Sequence, residues 1–225
     1  MLVRFLEKSD FAKQLNRMDI SKKLSQHQIK NVDILLTYIR MLCMGQSHFE
    51  AVREMEDTPD FYKYALGVAY PPFEETLRQR LDDIGSPLRQ QILPENVSML
   101  RDNSICPKTM KNNYIPVDMD VSPFDNSKTH KEEVSRTYKG CDGYAPMFAY
   151  IGAEGYLVND ELCERKQHCQ CGTPKFLTEP IGLCRQITDG KLLFRLDSGN
   201  DASDNIGILL EKGGCFNIKH NLRRE

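Results

Sequence analysis

Apolar residues recur every third or fourth position from Val32 through Leu35, Leu36, Ile39, Leu42 and Cys43. That spacing lays a stripe along one face of a helix, which Gly45 stops. Ser47 and Glu50 stand at the spacing of a capping box, opening a short helix through Met55. Thr58-Pro59 marks the start of the next helix and Gly67 its end. After Pro71-Pro72, the run FEETLRQRLDDIG sets Phe73, Leu77, Leu81 and Ile84 on one face, with Gly85 as its stop. Short helices joined by tight turns can form a helix-turn-helix-like DNA reader or a bundle that only packs. From about Leu93 to Asn113 the periodicity fades amid Pro94, Pro107 and several Asn. A helical region over 1–92 followed by a linker over 93–113 is therefore expected.

Beyond Tyr114 the period changes to two. Ile115, Val117, Met119 and Val121 point to one face of a strand, and Asp118 and Asp120 share the other. Such a carboxylate pair is either a solvated edge or half of a metal site. Further strands are expected over 144–151 and 156–162, joined as a hairpin through Gly152 and Gly155. A helix from Thr173 to Ile187 should kink at Pro180. Then come a strand over 192–196, a helix over 203–211 and a strand over 215–219. The run LLFRL is read as a strand buried on both faces. Asp197 follows it, at the strand end where open α/β sheets place their sites. Setting the two strands side by side would bring Asp120 and Asp197 together. The order of elements predicts a mixed α/β sheet over 114–225.

Charge and composition narrow the picture only a little. A net charge of −2 gives no global attraction to nucleic acid, so contact with DNA must rest on local patches. The first 31 residues carry such a bias, with seven Lys or Arg against three Asp or Glu. No apolar run approaches membrane-spanning length and the start, MLVRFLEKSDF, lacks the form of a signal peptide, so a cytoplasmic protein without membrane contact is expected. In that compartment the eight cysteines are expected as thiols.

The order of elements matches the ribonuclease H-like core, and particular residues carry the likeness further. PVDMDVSPFDNS, GYAPMFAYIG, the Gln167-His168 region and FRLDSGN with its following helix and FNIKHNL strand resemble DDE-type transposases of bacterial insertion sequences. GQSHFEAVREMEDTPDFYKYALG and EETLRQRLD resemble the helical region of the same group, so the likeness runs from Gly45 onward. It implies a ribonuclease H-like α/β domain behind an all-α region, working by metal-dependent cleavage of transposon ends and strand transfer. It also implies Mg²⁺ or Mn²⁺ as cofactor, transposon inverted repeats and target DNA as partners, and a homodimer in the complex.

Carried over by position, the resemblance puts the first catalytic, metal-binding Asp at Asp120, with Asp118 as runner-up, and the second at Asp197. The third acid of the family, a Glu on a helix past the last strand, has no counterpart. Glu225 is the final residue, with no helix to carry it. Cys163-Glu164-Arg165 also departs from the Arg and Gly usual in that family at this point. The expectation is an incomplete, C-terminally truncated core with little catalysis of its own. The alternative is an inactive copy that only binds DNA or the full-length protein.

Lys128, Lys131, Arg136, Tyr138 and Lys139 fall in an expected loop between the first two strands, as DNA-backbone contacts or as a solvated loop. Asp125 is expected as a surface or supporting group. Cys163, His168, Cys169, Cys171 and Cys184 raise a zinc-binding module, although Cys-x-Cys is not the usual knuckle spacing.

Overall fold

The computed structural model describes residues 13, 15, 17, 29–68, 70–130, 132, 134–162, 173–212 and 214–220. The chain divides into two compact units, Met1–Asn103 and Ser104–Glu225.

In the first unit, helix α1 (Asn31–Cys43) serves two apolar clusters. Val32, Leu35 and Leu36 join Leu15 and Ile84, whereas Ile34 and Met41 join Val52, Met55, Tyr62, Val68 and Leu77. Burial on two sides explains why the expected stripe is incomplete: Leu42 and Cys43 are exposed and Met41 is buried in their place. A 3₁₀ turn (Phe49–Val52) leads into α2 (Arg53–Asp57). His48 precedes that turn without a side-chain cap, so Ser47 and Glu50 do not form the expected capping box. Helix α3 (Pro59–Leu66) starts with Pro59 in its first turn and ends on Gly67 at φ +66°. That left-handed conformation suits a residue without a side chain.

Helix α4 (Glu74–Asp102) corrects the sequence reading most. It runs for 29 residues, about 43 Å, through Gly85, Pro87 and Pro94. The expected stop at Gly85 and the linker expected from Leu93 are instead its middle and last turns. Leu77, Ile84, Leu93, Val97 and Leu100 are buried along it, so the apolar stripe continues past both prolines. Burial of that face outweighs the lost backbone hydrogen bonds, since tertiary packing supplies most of the stability of helices in proteins. The last of the expected short helices is therefore a long one.

The second unit is built on a five-stranded sheet. Its strands are β1 (Ile115–Val121), β5 (Met147–Ile151), β6 (Tyr156–Glu161), β7 (Leu192–Leu196) and β8 (Cys215–Ile218). Their spatial order is β6-β5-β1-β7-β8. β5 is antiparallel to both its neighbours, β6 and β1, and β7 and β8 run parallel to β1. This is the ribonuclease H-like arrangement expected from the order of elements. Helices α5 (Thr173–Ile187) and α6 (Ser203–Glu211) pack against each other, α5 along β6 and α6 against β8. Val117, Met119, Ala149, Ile151, Val158, Phe194, Phe176, Leu177, Cys184 and Leu209 are buried in this layer.

The segment between β1 and β5 is not the plain loop expected. It holds a second, three-stranded sheet, β2 (Phe124–Asp125), β3 (Ser135–Arg136) and β4 (Asp142–Tyr144), in the order β2-β4-β3. Gly143, in its central strand, lies so close to β2 that an added Cβ would stand 1.8 Å from the Phe124 carbonyl oxygen. Only glycine fits at that approach.

Candidate functional site

Alternation along β1 separates its two jobs. Val117, Met119 and Val121 are buried, while Asp118 is half-buried and Asp120 exposed on the other face. Strand β7 alternates likewise: Leu192, Phe194 and Leu196 are buried and Arg195 is exposed. The expectation that β7 is buried on both faces is therefore corrected. Arg195 breaks the apolar run and turns outward, beside Asp118.

Register brings the C-terminal ends of β1 and β7 together. Asp118 pairs with Arg195 and Met119 with Leu196 across the parallel β1–β7 ladder. Asp197 follows Leu196 with an extended backbone, φ −78° and ψ 176°, as Asp120 follows Met119. In-register neighbours on adjacent strands lie about 4.8 Å apart, and residues two apart share a face. Asp120 shares the parity of Asp118 and Asp197 that of Arg195, at the C-terminal ends of β1 and β7.

The three acids are held differently. Arg195 grips Asp118 with two hydrogen bonds, Nε to Oδ1 and Nη2 to Oδ2, each 2.5 Å. The Asp118 carboxylate, hydrogen-bonded and close by, pushes the Arg195 guanidinium pKa up. With both oxygens engaged by a guanidinium, Asp118 is poorly placed to bind a cation. Asp120 accepts the Val121 backbone N–H on Oδ1 at 2.8 Å. Asp197 caps the 3₁₀ turn Ser198–Asn200, taking the Gly199 N–H on Oδ1 at 3.2 Å and the Asn200 Nδ2 on the same atom at 2.7 Å. Among the described residues no basic side chain pairs with Asp120 or Asp197, and their Oδ2 atoms accept no hydrogen bond. Carboxylate oxygens are the ligands that a hard divalent cation prefers. The pair fits Mg²⁺ or Mn²⁺ as part of a shell. Among the described residues no group of three or more His, Cys, Asp or Glu side chains converges on a metal position.

The small sheet leaves from the end of β1 that carries Asp120. Tyr138 donates its hydroxyl to the Val121 carbonyl at 3.4 Å, tying that sheet to the strand. Lys128, Arg136 and Lys139 are exposed on it. Arg136 lies 3.5 Å from Asp142, across an exposed ion pair that leaves its charge accessible. Asp125 is occupied in its own turn: hydrogen bonds from the Ser127 hydroxyl and backbone N–H hold its carboxyl below the usual range. Lys131, Cys163, His168, Cys169 and Cys171 lie outside the described residues. Cys184 is buried in the core, its thiol pushed up to about 12 by desolvation.

Sequence reasoning missed Arg195 and Asn200. Arg195 carries a signal, because it stands two residues before Asp197 and so on the same face. Asn200 carries a weaker one, since an Asn three residues after an Asp is also a common turn feature.

No protein-family profile and no curated protein sequence matches the chain. The solved structures similar to it include two transposase complexes. A piggyBac transposase synaptic complex with hairpin DNA aligns over 99% of this chain and 49% of that one, at 13% identity and a TM-score of 0.43. A Mos1 transposase paired-end complex with left transposon end aligns over 90% and 62%, at 12% identity and a TM-score of 0.29. The chain thus spans about half the length of the piggyBac chain it matches. The fold assignment rests on sheet order, strand direction and register in the chain itself.

Proposed function

We propose that the second unit is the core of a DDE-type insertion-sequence transposase, acting on the DNA of transposon ends and target. One observation supports the reading: in a sheet of ribonuclease H-like order, the β1–β7 ladder runs to Met119 opposite Leu196, and Asp120 and Asp197 each follow that last pair. Asp120 and Asp197 would hold Mg²⁺ or Mn²⁺ through their carboxylate oxygens. When bound, such a cation supplies the charge that activates an attacking oxygen and stabilises a leaving oxygen at a phosphodiester. Arg195 confines Asp118 to an ion pair and leaves Asp120 and Asp197 as the uncompensated acids of the site. Lys128, Arg136 and Lys139 on the small sheet would contact the DNA backbone beside them.

A second reading is favoured by the count of acids. Among the described residues no three acids converge, where the family's chemistry uses three, so in this reading the chain binds DNA, or another copy of the enzyme, without cutting. Incubation of the full chain with Mn²⁺ and supercoiled plasmid carrying the DNA that flanks its coding region separates the two. Nicking that disappears in Asp197→Asn supports the catalytic reading. Retention of the plasmid without nicking, weakened by Arg136→Ala with Lys139→Ala, supports the second. Nicking indifferent to Asp197→Asn contradicts the site.

A further inference from the structure

The two acids that flank the β7 end are restrained by opposite means. Asp118 is gripped by a guanidinium, which cancels its charge. Asp197 is gripped by neutral donors, the Gly199 N–H and the Asn200 amide, which fix one oxygen and leave the negative charge in place. A neutral clamp is what a cation ligand needs, because a cationic partner would compete with the metal for the same charge.

Asn200 is an expensive residue for packing alone. It is 1% exposed, and its Oδ1 is buried without a hydrogen-bond partner among the described residues. An apolar side chain of similar volume would fill that space with no polar atom to desolvate. Its Nδ2 faces Asp197 because the opposite orientation would press the amide oxygen against a carboxylate. Behind it Asn205, also 1% exposed and in the first turn of α6, donates Nδ2 to the Asn200 carbonyl at 3.0 Å. A chain of amide contacts therefore runs from α6 through the 3₁₀ turn to the Asp197 carboxylate.

We infer that Asn200 is a positioning residue for cation binding: it holds Oδ1 of Asp197 so that Oδ2 is presented, still charged, at the strand end beside Asp120. The inference rests on the reading of Asp120 and Asp197 as a divalent-cation site. Its test is Mn²⁺ binding by the full chain, followed by electron paramagnetic resonance, with a melting curve recorded without metal. Asp197→Asn should abolish the site. Asn200→Leu, matched in branching but lacking the donor, should weaken Mn²⁺ binding about tenfold in protein shown to be folded by circular dichroism. Should Asn200→Leu not fold, Asn200→Ala is measured below its melting temperature with the same expectation. Binding unaffected by Asp197→Asn overturns the cation site and the inference with it. Loss in Asp197→Asn, with the Asn200 variant within about twofold of the unsubstituted chain, overturns the inference and leaves the site standing. In that case a lowered melting temperature would mark Asn200 as a residue of the fold only.

Discussion

The two faces of the five-stranded sheet are made by the same strands and do opposite things. One face of β1 and β7 gives Val117, Met119, Phe194 and Leu196 to a layer closed by helices. The other gives Asp118, Asp120 and Arg195, with Asp197 one step past the ladder. Alternation in the strand makes this division possible, so a single register both packs the core and sets Asp118 beside Arg195. A slip of one residue would bury the carboxylates and expose the apolar set. The geometry of the site therefore follows from the hydrophobic pattern rather than from contacts among the polar residues.

The largest expected contrast between the faces is in stability. Phe194→Ala, at a position 0% exposed, should cost about 3–5 kcal/mol in denaturant unfolding. Asp120→Ala should cost no more than about 0.5 kcal/mol, as an exposed substitution, while removing Mn²⁺ binding. Comparable losses of stability at the two positions would break the division of labour.

A smaller effect sharpens the roles on the open face. Both partners of the Arg195–Asp118 pair are 43% exposed, so Arg195→Met should cost at most about 1 kcal/mol. The substitution releases the Asp118 charge, and Mn²⁺ should bind about threefold more tightly at low salt, less so as salt screens it. Weaker Mn²⁺ binding would mean that the guanidinium supports the site directly.

The smallest expected effect lies on the covered face. Burial lifts the Cys184 thiol from 9.0 to about 12, so the folded state prefers the neutral form. Its contribution to stability is complete below the unfolded-state value and is lost as pH rises from there through about 12. At pH 8.5, iodoacetamide should modify the exposed Cys43, Cys106 and Cys215 and spare Cys184 until the chain unfolds. Early modification of Cys184 would show that the helix layer opens locally.

Much of this was legible in the sequence. The period-two stretch at Ile115 to Val121 specifies the strand, its inward set and the shared face of Asp118 and Asp120. The alignment of Asp197 with Asp120 was legible as a possibility, since pairing of two strands far apart in sequence is not written in either. Arg195 was hidden because LLFRL was read as a continuous apolar run, when its parity matched Asp197. The small sheet after β1 was hidden because its strands are two or three residues long and depend on Gly143 for their close approach. Helix α4 was cut short because Gly85, Pro87 and Pro94 are breakers by local preference, and burial of Leu93, Val97 and Leu100 overrode them.

The central claim, that Asp120 and Asp197 bind one divalent cation together, is tested most directly by iron-directed cleavage of the chain. Fe²⁺ takes the place of Mg²⁺ or Mn²⁺ at oxygen sites and, with ascorbate and peroxide, cuts the backbone beside its ligands. The account predicts two groups of cuts, near Asp120 and near Asp197, suppressed together by excess Mg²⁺ and both lost in either Asp120→Asn or Asp197→Asn. Cuts at one of the two positions only, or cuts elsewhere that survive both substitutions, would contradict it.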